Sequence, residues 1–432
     1  MSRVPSLSHR ARERLDLPQP HLYTAPPGPF YDSESYPDGA INLSTAENSL
    51  LSKRLIEHMS RPIIMHPQHL KYRGTLLRTN LPTVEDLLPQ YINDSFNPVV
   101  QVTRENSVAG PGIGAVLAQL IWAVANQGAG VLLSAPFYDE YVRDVVHPGN
   151  SRVVLAEIPG DVDSLSIAVF PYLERKLLQS QEQGVKIEVL LLCNPHNPLP
   201  QVLSREVVQG YALFAEKHNL HLVVDEVYGL STFESAFPPA VNSKFESILS
   251  YDLPTIGAPP RTLGRAASNA MGLLVSPFNP ELINLMRPLF NATPISAASD
   301  LLFSRVLSDK PFVKSFLADN SAALGAAYEF VARWMIFHKL SFTRANAGVY
   351  VLVDLAPFIA RITDPSNSAT EKLDRAVAAM LEQKVFLKPT ALMADPIPTR
   401  FRLIFTQSRA TMKLALQRIE RAFGVPPAPL DD

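Results

Sequence analysis

Two apolar runs, each ending in a cluster of polar residues, set the tightest limit on what this chain can fold into. The first, Val185–Cys193 (VKIEVLLLC), leads into Asn194-Pro-His-Asn-Pro198, and the second, His221–Val224, leads into Asp225-Glu-Val-Tyr228. Between them, Ser204–Leu220 places Val207, Tyr211 and Phe214 at helical spacing on one face, with charges elsewhere. Strand, helix and strand in that order make a crossover unit with two parallel strands. Both polar motifs then fall at one carboxyl-terminal sheet edge, where open α/β sheets bind ligands. Singly, each motif has a plainer explanation, because Asn-Pro is a turn signal and an Asp after a strand often caps a helix. The pair at this spacing is what points to a site.

The chain has 432 residues, enough for two or three domains or for one large α/β unit with a smaller one appended. Apolar residues make up 47% and charged residues 19%, a balance that buries a large core. Lysine plus arginine (39) nearly matches aspartate plus glutamate (41), with no polybasic run, which argues against nucleic-acid and anionic-membrane partners. A single cysteine, Cys193, excludes an internal disulfide framework and fits a reducing compartment. Because it ends an apolar strand, its expected role is packing. The amino terminus, MSRVPSLSHRARERLDLPQP, lacks the apolar core of a secretory signal, and no run reaches membrane-spanning length. A cytoplasmic protein is expected.

In chain order, residues 1 to about 40 read as an extended arm rich in Pro, Ser, Tyr and Gly. Val108–Gly114 (VAGPGIG) is a glycine-rich loop before an apolar helix, Ala115–Asn126, and can turn backbone N–H groups toward an anion. It matches neither the Walker nor the dinucleotide fingerprint. Thr255–Gly272 reads as irregular, and strand character resumes at Leu273–Val275. The tail alternates strands (Val349–Asp354, Arg402–Phe405) with helices (Glu371–Gln383, Thr411–Phe423), as a smaller α+β unit would. The expected division is 1–70 as an arm and segment packing with the small domain, 71–319 as a large cofactor-type domain, and 320–432 as the small domain.

Several stretches together resemble the fold-type-I pyridoxal-phosphate enzymes of aminotransferase class I/II, in the branch of 1-aminocyclopropane-1-carboxylate (ACC) synthase-like enzymes. GAINLSTAENSLL is similar to the branch's Ala-Glu-Asn signature, here Ala46-Glu47-Asn48; RANAGVYVLVDL to its Asn-Ala-Gly strand, here Asn346-Ala347-Gly348; and TRFRLIFTQSRATMKLALQRI to its carboxyl-terminal Phe-Arg motif. The resemblance implies an α/β fold with a mostly parallel seven-stranded sheet between helices. It places Asp225 at the pyridine nitrogen of the cofactor, where a carboxylate keeps the ring protonated. It gives Asn197 and Tyr228 to the phenolic oxygen, Tyr138 (or Phe137) to ring stacking, and Gly112-Ile113 to the phosphate turn. Tyr72 matches a tyrosine that reaches the phosphate from a neighbouring subunit, which implies a homodimer with shared sites. Arg402 matches the arginine that takes the substrate carboxylate, a task for a planar bidentate donor. His196, between the two Asn-Pro steps, reads as a solvated turn residue.

One departure matters chemically. Where the family carries its cofactor lysine, this chain reads Ala258-Pro-Pro-Arg-Thr-Leu-Gly264, then Arg-Ala-Ala-Ser-Asn-Ala-Met-Gly272. Alignment on Gly264 puts Arg261 in the lysine's place, and alignment on Gly272 puts Thr262 there. The nearest lysines are Lys244 and Lys310. A Schiff base needs a neutral amine, and a guanidinium stays protonated. No covalently bound cofactor is therefore expected, and the first reading is a biosynthetic enzyme that cyclises, condenses, eliminates or isomerises a small carboxylate-bearing metabolite. A second reading keeps pyridoxal phosphate, held non-covalently or through another lysine such as Lys388. A third is a non-catalytic dimeric pseudoenzyme.

Overall fold

The computed structural model describes residues 28–62, 65–72, 80–258, 263–266 and 271–430, with the backbone alone for 146–148 and 263–266. In chain order the strands are β1 (Ile41–Asn42), β2 (Ser107–Gly110), β3 (Gly130–Ser134), β4 (Arg152–Ala156), β5 (Ile187–Cys193) and β6 (His221–Asp225). They continue as β7 (Leu263–Ala266), β8 (Gly272–Val275), β9 (Tyr350–Asp354), β10 (Val385–Phe386), β11 (Lys388–Pro389) and β12 (Arg400–Ile404).

The main sheet is parallel throughout, in the order β4-β3-β5-β6-β7. An antiparallel pair, β2 with β8, lies against β7, so seven strands make up this layer. The sequence explains why β5 is central: all seven of its residues are buried, as in a strand covered on both faces. Alternate side chains separate accordingly. Val189 and Leu191 face helices Ile113–Val124 and Pro280–Ala292, whereas Leu190 and Leu192 face helices Phe170–Glu182 and Arg205–Lys217. The crossover helix Arg205–Lys217 begins on Ser204, whose hydroxyl accepts from the N–H of Val207, and it buries Val207, Tyr211 and Phe214 as its period requires.

Strand β7 corrects the expectation of an irregular Thr255–Gly272. Leu263–Ala266 runs beside β6 with Leu222 opposite Leu263 and Asp225 opposite Ala266. Its sequence, Leu-Gly-Arg-Ala, has no apolar run to announce it; backbone pairing to an already fixed neighbour defines the strand. The helical stretch from Asn279 to Lys339 divides into Pro280–Ala292, Ala297–Ser308 and Lys310–Phe337.

The carboxyl-terminal strands form an antiparallel sheet, β11-β12-β9, and β1 pairs with β10. Ile41 and Leu43 share an apolar cluster with Trp334, Val351, Phe401 and Leu416, so the segment near residue 41 is packed against the tail. The Ala46–Asn48 signature is tied down there as well: the Thr406 hydroxyl donates to the Glu47 carbonyl (2.5 Å), and the Asn48 amide donates to Asn320 (2.8 Å). Among the described residues no helix is long and apolar enough to cross a membrane, and no group of three or more His, Cys, Asp or Glu is placed to hold a metal ion.

Candidate active site

The order β4-β3-β5-β6-β7 places consecutive connections on opposite sides of β3, so the chain reverses its winding between β3 and β5. Such a switch point opens a crevice outside the carboxyl ends of the strands. The loops that leave these ends are Ala135–Tyr141 after β3, Asn194–Pro198 after β5 and Glu226–Tyr228 after β6.

The Asn194–Pro198 loop is held from several directions. Asn194 donates its N–H to the Asp225 carbonyl (2.9 Å), and its side-chain oxygen accepts from Leu203 (3.0 Å). The Asn194–Pro195 and Asn197–Pro198 peptide bonds are both cis. Tyr350 of β9 donates its hydroxyl to the His196 carbonyl (2.9 Å), and Asn346 accepts from the N–H of Val202 (3.0 Å). Cys193 is buried and donates its thiol to the Pro195 carbonyl (3.2 Å), a packing role. His196 is buried rather than solvated. Its Nδ1 accepts from the Leu199 N–H (3.3 Å), and burial lowers its pKa to about 4, so the ring is neutral.

Arg402 reaches this loop from β12. Its guanidinium, 2% exposed, donates to the Asn197 side-chain oxygen (3.0 Å) and to the Ser44 carbonyl (2.7 Å) and lies over the Tyr350 ring at 5.3 Å. Both acceptors are neutral, and among the described residues no carboxylate pairs with the group and Nε is buried with no partner. Directly across the ladder from Arg402 is Lys388. Opposed residues project from the same face, yet the two cations fare differently: the Lys388 ammonium lies between both oxygens of Asp139, at 2.9 and 2.7 Å.

Asp225 ends β6 with its carboxylate buried. One oxygen accepts from the Tyr141 hydroxyl (2.7 Å) and the other from the Val227 N–H (3.0 Å). Burial pushes its pKa up to about 6; the Tyr141 and Val227 hydrogen bonds pull it back, and nearby Asp144 adds to the rise. Tyr228 stacks edge-on against Tyr350 (5.3 Å), and burial raises its phenol despite the opposing field of Arg402. Tyr138 meets Tyr141 edge-on at 5.3 Å, and its phenol is likewise raised by burial, against Arg402. These phenols are neutral donors near pH 7.

Gly112 and Ile113 open helix Ile113–Val124. Gly112 sits at φ 103°, a conformation that favours glycine, and no side chain caps the helix. Gly272 allows this close approach: a Cβ there would meet Val116 Cγ2 at 2.5 Å and the Gly112 carbonyl at 2.7 Å. The first turn is also faced by an acid, since a Cβ on Gly114 would meet Asp144 Oδ1 at 3.3 Å.

Asp225, Tyr228, Asn197, Tyr138 and Arg402 thus belong to one constellation, linked by the contacts above, with Gly112 and Ile113 at the start of a neighbouring helix. Tyr72 does not join them; it is 92% exposed. Arg261 and its alternative Thr262 lie outside the described residues. Sequence reasoning missed Tyr141, Tyr350, Ser44 and Asp139. Only Tyr141 left a trace, as the second aromatic in Phe137-Tyr-Asp-Glu-Tyr141.

Comparison with known proteins shows the family and the fold. Residues 39–419 match the family Aminotransferase class I and II. The chain is 26% identical over 414 residues to human 1-aminocyclopropane-1-carboxylate synthase-like protein 1, spanning 91% of this chain and 78% of that one. It is 28% identical over 410 residues to the probable aminotransferase gliI of Aspergillus fumigatus, spanning 89% of each. A mutant Thermus thermophilus aspartate aminotransferase superposes with a TM-score of 0.66 at 18% identity, over 97% of this chain and all of that one, which shows a shared fold. With the family match running nearly end to end and the fold-type-I architecture shared along its length, the chain belongs to aminotransferase class I and II.

Proposed function

We propose that this protein is a biosynthetic enzyme on an aminotransferase scaffold that binds a small carboxylate-bearing metabolite through Arg402 and transforms it without a covalent lysine–cofactor link. The observation that carries the reading is Arg402 itself. A guanidinium this deeply buried, held among the described residues only by neutral acceptors and with Nε orphaned there, carries a desolvation cost that a bidentate carboxylate offsets. Around that anion the site offers neutral phenol donors (Tyr228, Tyr138) and one acid, Asp225, with a pKa of about 6. Such a set can hold an acid in place, stabilise charge on an adjacent oxygen and exchange a proton near neutral pH. Cyclisation, condensation, elimination and isomerisation all require those three capacities.

A second reading has a specific observation behind it. Asp225, Tyr228, Asn197 and Tyr138 remain together and fit the ring end of pyridoxal phosphate, with Gly112 and Ile113 toward its phosphate. Against it stand Asp144 facing that helix turn and the lack of any lysine between Lys244 and Lys310. Lys388, the alternative amine, is engaged by Asp139. When bound, the cofactor would supply an electron sink for a carbanion. In either reading we assign the exposed Tyr72 to a contact between two copies of the chain.

Calorimetric titration with pyruvate, a probe monocarboxylate, tests the central assignment. Replacing Arg402 by Gln is expected to weaken binding about 100-fold, the equivalent of roughly 3 kcal/mol for a charged hydrogen-bonded contact. Unchanged affinity in that variant would remove Arg402 from the site.

A further inference from the structure

The contact between Tyr141 and Asp225 points beyond carboxylate capture. We propose that Tyr141 is the positioning residue for the acid of this site, fixing the orientation of the Asp225 carboxylate and keeping it charged for an N–H or O–H donor of the ligand. The inference rests on the reading above only in taking Asp225 as the group that meets the ligand.

Tyr141 begins the helix Tyr141–Gly149 and is 2% exposed, so its phenol has no access to bulk water. The hydroxyl donates to Asp225 Oδ2 at 2.7 Å, while Oδ1 accepts from the Val227 N–H at 3.0 Å. One donor on each oxygen fixes both torsions of the side chain. A carboxylate has about four lone-pair sites, so two remain for a ligand. The ring is in turn held edge-on by Tyr138, so the residue that steadies Asp225 is steadied by another aromatic of the site.

The described charge environment gives this contact weight. Among the described residues, the groups that face Asp225 are Cys193 across the ladder, Tyr141 and Asp144 from the helix at 141–149, Val227 and Tyr228 from its own loop, and Tyr350 from β9. None of these is a cation. Arg402 acts on Tyr228, Tyr138 and Tyr350 but is itself bonded to Asn197 and Ser44. Among the described residues, charge on Asp225 is therefore stabilised by two hydrogen bonds, one of which a single substitution removes.

The test compares the pH dependence of thermal unfolding in the wild-type chain, Tyr141→Phe, Asp225→Asn and the double variant. Subtracting the Asp225→Asn profile isolates the titration of Asp225. Tyr141→Phe is expected to move that titration upward by roughly one to two pH units, and to move nothing once residue 225 is Asn. Parallel wild-type and Tyr141→Phe profiles at every pH would show that the ring only fills space and would overturn the proposal. If Tyr141→Phe alone does not fold, rescue by the added Asp225→Asn supports the proposal, because the fault is then an unsupported buried charge. Failure of the double variant to fold overturns it. A separate arm, pyruvate titration of the wild-type chain, reports on Arg402. Absence of pyruvate binding there defeats the functional reading and leaves the titration result standing by itself.

Discussion

Strands β6 and β7 lie side by side, run in the same direction and pair residue for residue, Asp225 with Ala266, yet their carboxyl ends differ in chemistry. The end of β6 is fully furnished: Asp225 has a donor on each oxygen, and the adjoining Glu226 carboxylate accepts from Ser247 (2.7 Å) and from the Ile248 N–H (2.6 Å). The end of β7 is a run of small and polar residues, Ala-Ala-Ser-Asn-Ala, with no lysine between Lys244 and Lys310. The chain thus buries an acid and an arginine, both of which cost folding free energy, close to a strand whose flanking sequence holds no lysine.

The comparison gives Asp225 a measurable cost. Its folded pKa of about 6 lies above its usual value near 3.8. The folded state therefore binds the proton more tightly, and the associated stability is fully present below pH 3.8 and lost as pH rises through about 6. The gap corresponds to roughly 3 kcal/mol. Asp225→Asn is therefore expected to be more stable than wild type at pH 8 by about 2 kcal/mol, with the difference vanishing near pH 4. Urea titrations at the two pH values check this; a variant equally or less stable at pH 8 would mean that β6 does not carry a strained acid.

An effect of similar size sharpens the same contrast beyond β7. Gly272→Ala forces a methyl group against Val116 and the Gly112 carbonyl, and should destabilise the chain by roughly 2 kcal/mol through displacement of the glycine turn. Urea unfolding reads the loss. A neutral result would show that the approach of β8 to that turn is not tight.

How much of this was legible in the sequence depended on the kind of signal each element leaves. β5 and β6 were readable because long apolar runs and an intervening 3.6-residue period leave few alternatives. β7 was not, because Leu-Gly-Arg-Ala carries no pattern of its own and becomes a strand only by pairing with β6. The two polar motifs were found from their spacing, and the individual roles of Asp225, Asn197 and Arg402 were assigned from family resemblance. Tyr141, by contrast, acquires its role from a contact spanning 84 residues of sequence. His196 was misjudged for a related reason. A polar residue between two prolines reads as a surface turn, but Tyr350 and the Leu199–Gln201 segment close over it.

The most direct test of the proposed lysine-independent chemistry is to saturate the protein with pyridoxal phosphate, reduce with borohydride and determine the intact mass. The account predicts an unmodified chain, whether or not the cofactor binds reversibly. A stoichiometric reduced adduct, mapped by peptide mass to Lys388 or any other lysine, would contradict it and restore conventional covalent chemistry to this site.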